Sequence, residues 1–195
     1  WGNVIIDNEN MESVDFANGL KKDQGDLEIR KTGSKATIFT STTDSIFIGG
    51  NLQMTGGHLA IGSKDGNSTL IIGDQLNIRN GSLSDRIPEF KSSGNLHLIA
   101  GNLVQIKDGE LLLEGEHSQI LFTRSGICNW KQGESNVILP NVMISAGAVL
   151  NVIGEKIGQI AKNQELVVLK DGQVKLNEAV LFGMGGFRLE PHGTI

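Results

Sequence analysis

One short pattern recurs along this chain at nearly even intervals. Two apolar residues flank a variable residue, and a glycine and another apolar residue follow. The two clearest copies begin at Leu52 and Leu76 and match at every position with an offset of 24 residues. The apolar stretches that precede them, 46–48 and 70–72, have the same offset. Self-similarity at a fixed interval is typical of proteins whose units stack along one axis, and it constrains this fold more than any single residue does.

Looser copies extend the series over the whole chain, with a mean spacing near 23 residues. The copies begin at Val4, Leu27, Leu52, Leu76, Leu96, Ile120, Val142, Val167 and Phe187. Within each copy the apolar residues alternate with other residues, which is the period of a half-buried β-strand. The sequence therefore predicts an all-β fold, a parallel β-solenoid of about nine rungs with roughly 23 residues per rung.

An antiparallel β-sandwich is the alternative fold, because its strands also recur at short intervals with turns between them. The 24-residue offset covers two successive strands and their turns. Hairpins have no reason to repeat at that longer interval, so the offset favours the solenoid.

Composition indicates one domain over residues 1–195, since no proline- or serine-rich linker divides the chain. The ends do not resemble natural termini, which predicts that the segment belongs to a longer repetitive chain. A net charge of −5 argues against nucleic acid as a partner. The chain has no apolar run long enough to predict a membrane span. Leucine, isoleucine and valine suffice for the core, so no cofactor is predicted.

Neither the outward positions nor the histidines predict catalysis or metal binding. If the nine copies stack, the outward residues from the second rung onward are Glu28, Gln53, Asn77, His97, Leu121, Met143, Val168 and Arg188. Only one is a carboxylate, whereas a sugar-cleaving solenoid needs clustered acids on adjacent rungs. The four histidines are scattered without ligand spacing. We therefore expect no enzyme activity, no catalytic residue and no metal site.

An apolar strip is the one candidate interaction site. The outward position is apolar on three successive rungs, at Leu121, Met143 and Val168. An exposed strip of this kind usually marks a contact surface. Two interpretations stay open: the segment 126–140, which contains Trp130, covers the strip, or a partner or neighbouring domain binds there.

Several phrases of the chain resemble the repeats of a known class of surface protein. Residues 50–59 and 74–83 resemble the "GNLxIxxGxL" repeats of large flavobacterial-type (Bacteroidetes) cell-surface adhesins. Residues 142–150 and 182–195 are similar to their "GxGxFxLxxGATL" phrase, although His192 and Gly193 stand where that phrase has Gly-Ala. The resemblance implies an extracellular or cell-surface protein of a Gram-negative bacterium, of the kind that includes gliding-motility adhesins. It carries over no catalytic residues.

These observations together predict a structural or adhesive module, a non-catalytic rod or stalk. Its expected partners are neighbouring domains of the same longer chain, surface polysaccharide or other surface proteins. Two alternatives remain: a carbohydrate-active β-helix that binds or cleaves polysaccharide, and a subunit of a multi-chain surface assembly.

Overall fold

A computed structural model of the chain describes residues 2–10, 13–15, 25–31, 37–39, 45–62, 67–85, 95–123, 126–132, 138–139, 141–153, 158–160, 162–177, 181–183 and 185–195. The described residues form 23 β-strands and no helix. Each strand pairs in parallel with strands that lie one turn of the chain away. The predicted all-β class and the parallel β-solenoid are therefore confirmed, and the antiparallel sandwich is excluded.

The described strands number two in the first turn of the coil and three in each later turn. The first four turns contain β1 (Val4–Asp7), β2 (Ser13–Asp15); β3 (Leu27–Lys31), β4 (Thr37–Phe39), β5 (Ser45–Ile48); β6 (Leu52–Met54), β7 (His58–Ala60), β8 (Ser68–Ile72); β9 (Gln75–Ile78), β10 (Ser82–Ser84), β11 (Leu96–Ala100). The next four contain β12 (Leu103–Ile106), β13 (Glu110–Leu112), β14 (Gln119–Phe122); β15 (Gly126–Gln132), β16 (Ile138–Leu139), β17 (Asn141–Ile144); β18 (Ala148–Ile153), β19 (Gly158–Ile160), β20 (Glu165–Val168); β21 (Gln173–Asn177), β22 (Leu181–Gly183), β23 (Gly186–Leu189).

Equivalent strands of successive turns form the sides of the coil. The first sheet has eight strands in the order β1-β3-β6-β9-β12-β15-β18-β21. The second sheet has seven, in the order β5-β8-β11-β14-β17-β20-β23. Three short sheets, β2-β4, β7-β10-β13 and β16-β19-β22, supply the third side. Because neighbouring strands belong to successive turns, the hydrogen bonds between them run along the coil axis, with a spacing of about 4.8 Å.

Aliphatic side chains stacked in columns fill the interior. Leu52 pairs with Leu76 in the first sheet, and both side chains are fully buried. Ile46 pairs with Leu70 in the second sheet, also in the interior. The predicted 24-residue offset is therefore a true structural register, in which one residue lies directly over the other.

The prediction of nine rungs is wrong, and the register shows why. The partner of Leu76 is Val104, 28 residues further along. Leu96, which was expected to stack on Leu76, lies instead in β11 of the second sheet and pairs with Ser68. The sequence series thus passes from the first sheet to the second within one turn and counts that turn twice. The longest sheet has eight strands, so the described residues form eight turns at most.

The glycine of the repeated pattern marks a corner that requires it. Gly57 and Gly81 precede the strands of the third side and have positive φ angles of 74° and 97°. A Cβ atom on Gly81 would also collide with the carbonyl oxygen of Gly57, one turn away. Left-handed backbone and close stacking both exclude a side chain here, which explains why the glycine recurs with the strands.

Candidate interaction surface

The outer face of the first sheet carries a polar column over β3, β6, β9 and β12. Glu28, Gln53, Asn77 and Gln105 stack in register on β3, β6, β9 and β12. All four residues are partly buried. Arg30 Nε donates a hydrogen bond of 2.9 Å to Glu28 Oε1, which holds the pKa of the Glu28 carboxyl below its ordinary value. Since Glu28 is the single acid among these four, they provide no pair of adjacent acids for acid–base chemistry.

The outer face of the second sheet carries one apolar column over six consecutive strands. We call this column of outward residues the apolar ladder; its members are Phe47, Ile71, Ile99, Leu121, Met143 and Val167, on β5, β8, β11, β14, β17 and β20. The first five are partly exposed, and Val167 is 5% exposed. The ladder shows apolar side chains on the outside of a sheet whose inner face is also apolar. Parallel strands with this composition are typically covered on both faces.

The residues beside the ladder carry no acid, lysine or arginine over its first five strands. They form a second outward column of Ser45, Thr69, His97, Gln119 and Asn141, again in register. Charge enters only at the far end, where Arg188 Nε lies 3.7 Å from Glu165 Oε2. The apolar ladder is therefore bordered on this side by polar groups that would not repel a surface of the same composition.

The structure places the predicted strip residues on two different sides of the second sheet. Leu121 and Met143 are adjacent outward residues, in register with each other. Val168, by contrast, pairs with Ile144 and is fully buried, so its outward placement was wrong by one residue. Val167 takes the expected outward position, because the inward pair of β20 begins at Leu166 and not at Val167.

The described parts of the predicted covering segment, 126–132 and 138–139, belong to the coil, and its other residues lie outside the described part of the chain. Residues 126–132 form β15, which pairs with β12 and β18 in the first sheet. Trp130 belongs to this strand and pairs with Val104, whereas Leu121 and Met143 lie in the second sheet. The side chain of Trp130 lies outside the part of the chain that the structure describes. The strand itself does not run over the ladder.

Sequence reasoning missed four of the six ladder residues, Val167 by one position and the other three altogether. Phe47, Ile71 and Ile99 each stand in the middle of three apolar residues, where both neighbours point inward. These runs carried a signal that was available: a strand apolar at every position is typical of a parallel sheet covered on both faces. Alternation alone does not reveal these outward residues, because it identifies an outward position only once the register of the strand has been chosen.

A buried polar clasp joins the third side to the second sheet. Asp85 and Ser118 are fully buried, and the Ser118 hydroxyl donates a hydrogen bond to Asp85 Oδ2. The backbone N–H groups of Glu114 and Gly115 donate to the same carboxylate at 3.1 and 2.8 Å. Ser118 Oγ also accepts a bond of 2.9 Å from the N–H of Leu96. A hydroxyl held in this way inside the core has a structural role and is not a nucleophile.

A serine–histidine contact lies on the third side. His58 Nδ1 is 2.8 Å from Ser82 Oγ, and Ser82 is 8% exposed. Ser82 lies on β10 between two parallel neighbours: His58 pairs with it from β7, and Glu110 pairs with it from β13. The serine thus lies between the imidazole and the acid. Serine hydrolases need the histidine in the middle, so that the acid orients the base. This column therefore lacks the order of a catalytic triad.

A small pocket of about 100 Å³ opens near the first turns, lined by Asn3, Val4, Ile5, Asp26, Leu27, Glu28, Asn51 and Gln53. Two of its polar side chains, Asp26 and Asn51, bond to each other. Asp26 Oδ1 accepts hydrogen bonds from the backbone N–H and the Nδ2 of Asn51 at 2.7 and 3.0 Å. Ligand pockets usually have volumes of about 300–1,000 Å³, so this pocket is too small for an ordinary organic ligand.

Among the described residues, no three histidine, cysteine, aspartate or glutamate side chains come together in a way that could hold a metal ion. The same part of the chain contains no helix that is long and apolar enough to cross a membrane. Comparisons with protein-family models, with characterised proteins and with solved structures found no match to this chain.

Proposed function

We propose that this chain is a rod segment of an extracellular or cell-surface protein, and that it acts as a stalk without catalysing a reaction. The observation that carries the proposal is the continuous parallel pairing of the first sheet from β1 to β21. Every turn stacks on the next through backbone hydrogen bonds and a continuous aliphatic core, so the ends are held apart at a fixed distance. The resemblance of residues 50–59 and 74–83 to surface-adhesin repeats supports the location.

The rod is tested by a distance measurement between two residues of one outward column. Ile5 and Asn177 are the first and last members of that column in the eight-stranded sheet, and both are exposed. Seven steps of about 4.8 Å place them about 34 Å apart. Spin labels on Ile5→Cys and Asn177→Cys, with Cys128→Ser, should give one narrow distance near this value. A broad distribution overturns the rigid rod.

The absence of catalysis and the location need separate tests. Incubation of the segment with neutral and acidic polysaccharides should release no new reducing ends; measurable cleavage overturns the non-catalytic part and favours a carbohydrate-active β-helix. Antibodies against the segment should label intact cells of the source organism. Labelling only after lysis would contradict the surface location but leave the rod itself unaffected.

A second candidate function is a subunit of a multi-chain assembly. The apolar ladder favours it, because a rod that needed only to separate its ends could be polar on every outer face, as the first sheet is over β3–β12. Sedimentation that shows a monomer at every concentration would count against this candidate.

A further inference from the structure

We infer that the apolar ladder is a self-association face, on which a second copy of this chain packs with its own ladder. The inference deepens the second candidate function by naming the partner, and the rod does not depend on it. Its starting point is the contrast between the outward columns: Gln53 and Asn77 on the first sheet, Ile71 and Ile99 on the second. The two sheets belong to the same turns, but among the described residues only the second sheet has an outward column that stays apolar over six strands.

The spacing of the ladder fits another copy. Its side chains repeat at the strand separation of about 4.8 Å, in a flat row about 24 Å long. A row with this pitch is matched, side chain by side chain, by a surface with the same pitch. A second ladder supplies such a surface, and two sheets can interdigitate at a separation of about 10 Å. A two-fold axis makes the contact self-complementary and closes it as a dimer.

Charge also favours a copy of the same chain. The net charge of −5 would oppose association through most of the surface. Beside the ladder, however, the residues from Ser45 to Asn141 in the neighbouring column include no acid, lysine or arginine. Glu165 and Arg188 lie at one end, 3.7 Å apart. With the copies antiparallel, this pair faces the Ser45 end of the other copy, where the described residues of β5 carry no charge.

The area of the contact between the two ladders sets the expected affinity of the dimer. A face about 24 Å long and about four residues wide, or about 13 Å, covers about 300 Å² per copy. Stable complexes bury about 800 Å² per partner. The contact should therefore be weak, with a dissociation constant of about 100 µM or higher, and should matter where many copies are held close together on one surface.

The test is sedimentation equilibrium of the whole chain at concentrations from about 10 µM to 1 mM. We expect a monomer–dimer equilibrium. Ile99→Lys, in the middle of the ladder, should raise the dissociation constant at least about tenfold. The matched control is Gln105→Lys, an outward and partly buried position of the first sheet, which should leave the dimer unchanged. Circular dichroism confirms the fold of each variant, and Leu121→Gln replaces Ile99→Lys if the latter does not fold.

Three outcomes would overturn the inference. The first is a monomer throughout the concentration range whose ladder is open to solvent labelling. The second is a dimer that both ladder variants leave intact but that Leu189→Lys, in the exposed last strand, disrupts; this result places the contact at an end and preserves the multi-chain candidate. The third is a monomer in which the ladder is protected from solvent labelling, which shows that another part of the protein occupies it. None of these outcomes affects the spin-label distance that tests the rod.

Discussion

The first and second sheets are alike on the inside and different on the outside. Leu76 and Leu98, one from each sheet in the same turn, are both fully buried in the shared core. Their outward neighbours Asn77 and Ile99 differ in polarity, and the difference continues along each column. Side chains at inward positions must pack in the core, so few residue types are tolerated there. Outward positions are free to differ, so the function of such a chain is to be sought in its outer columns.

The largest expected effect tests the similarity inside. Leu76→Ala and Leu98→Ala each remove a fully buried side chain and leave a cavity, so each should lower the free energy of unfolding by about 2–5 kcal/mol. Equilibrium unfolding in urea measures both. If one of them costs less than about 1 kcal/mol, the two sheets do not share one core, and the comparison fails at its premise.

The next effect compares two polar contacts, the buried one around Asp85 and the partly buried one around Asp26. Asp85→Ala leaves the buried Ser118 hydroxyl and the N–H groups of Glu114 and Gly115 without their acceptor and should cost about 3 kcal/mol. Asp26→Ala, the matched change at the partly buried corner before the first sheet, removes the acceptor for Asn51 and should cost about 1 kcal/mol. Thermal unfolding compares them. Equal losses would contradict the distinction between a buried and an open contact.

A smaller effect tests the difference between the outer faces of the first and second sheets. Ile99→Asn should lower stability by about 1 kcal/mol, because Ile99 packs between Ile71 and Leu121 in the ladder. Asn77→Val should be neutral or slightly stabilising, because Asn77 Oδ1 is buried without a hydrogen-bond partner among the described residues. Both are measured at low protein concentration, where the chain is monomeric. A stabilising Ile99→Asn would show that the ladder gains nothing from its neighbours.

The smallest effect concerns the charged end of the polar face. The hydrogen bond from Arg30 lowers the pKa of Glu28 relative to the unfolded chain. The stabilisation from this lowered pKa is complete above the ordinary glutamate pKa of about 4.3 and is lost as the pH falls through the lower folded value. Glu28→Gln should therefore remove a slight acid-induced loss of stability. An NMR titration of the Glu28 carboxyl gives the pKa directly, and a value at or above the ordinary one refutes this account.

The sequence predicted the inner columns well because strand alternation and stacking leave a direct record in it. Leu52 over Leu76 and Ile46 over Leu70 were both predicted and confirmed. The turn count failed because turn length varies. The interval from one strand to its neighbour is 21 residues at Leu166 and Phe187, but 28 at Leu76 and Val104. Both sheets use the same apolar alternation, so the pattern alone cannot tell which sheet a given copy joins.

The candidate surface was only partly predictable for a related reason. Leu121 and Met143 were identified because their positions relative to the alternating residues were right. Val168 was not, since three successive apolar residues in β20 allow two registers. The same ambiguity hid Phe47, Ile71 and Ile99. Which member of an apolar triplet points outward depends on pairing with the next turn, and local alternation carries no information about it.

The axial direction of the hydrogen bonds has a mechanical consequence. A pull on the two ends of the coil loads the bonds of one turn at a time. The molecule should therefore unfold stepwise from an end, one turn after another. A turn of 24 residues, such as that between Leu52 and Leu76, contributes about 4.8 Å to the folded length and about 80 Å once extended. A short stiff spacer of this design can therefore become much longer under load, because each turn that unfolds adds its extended chain to the length.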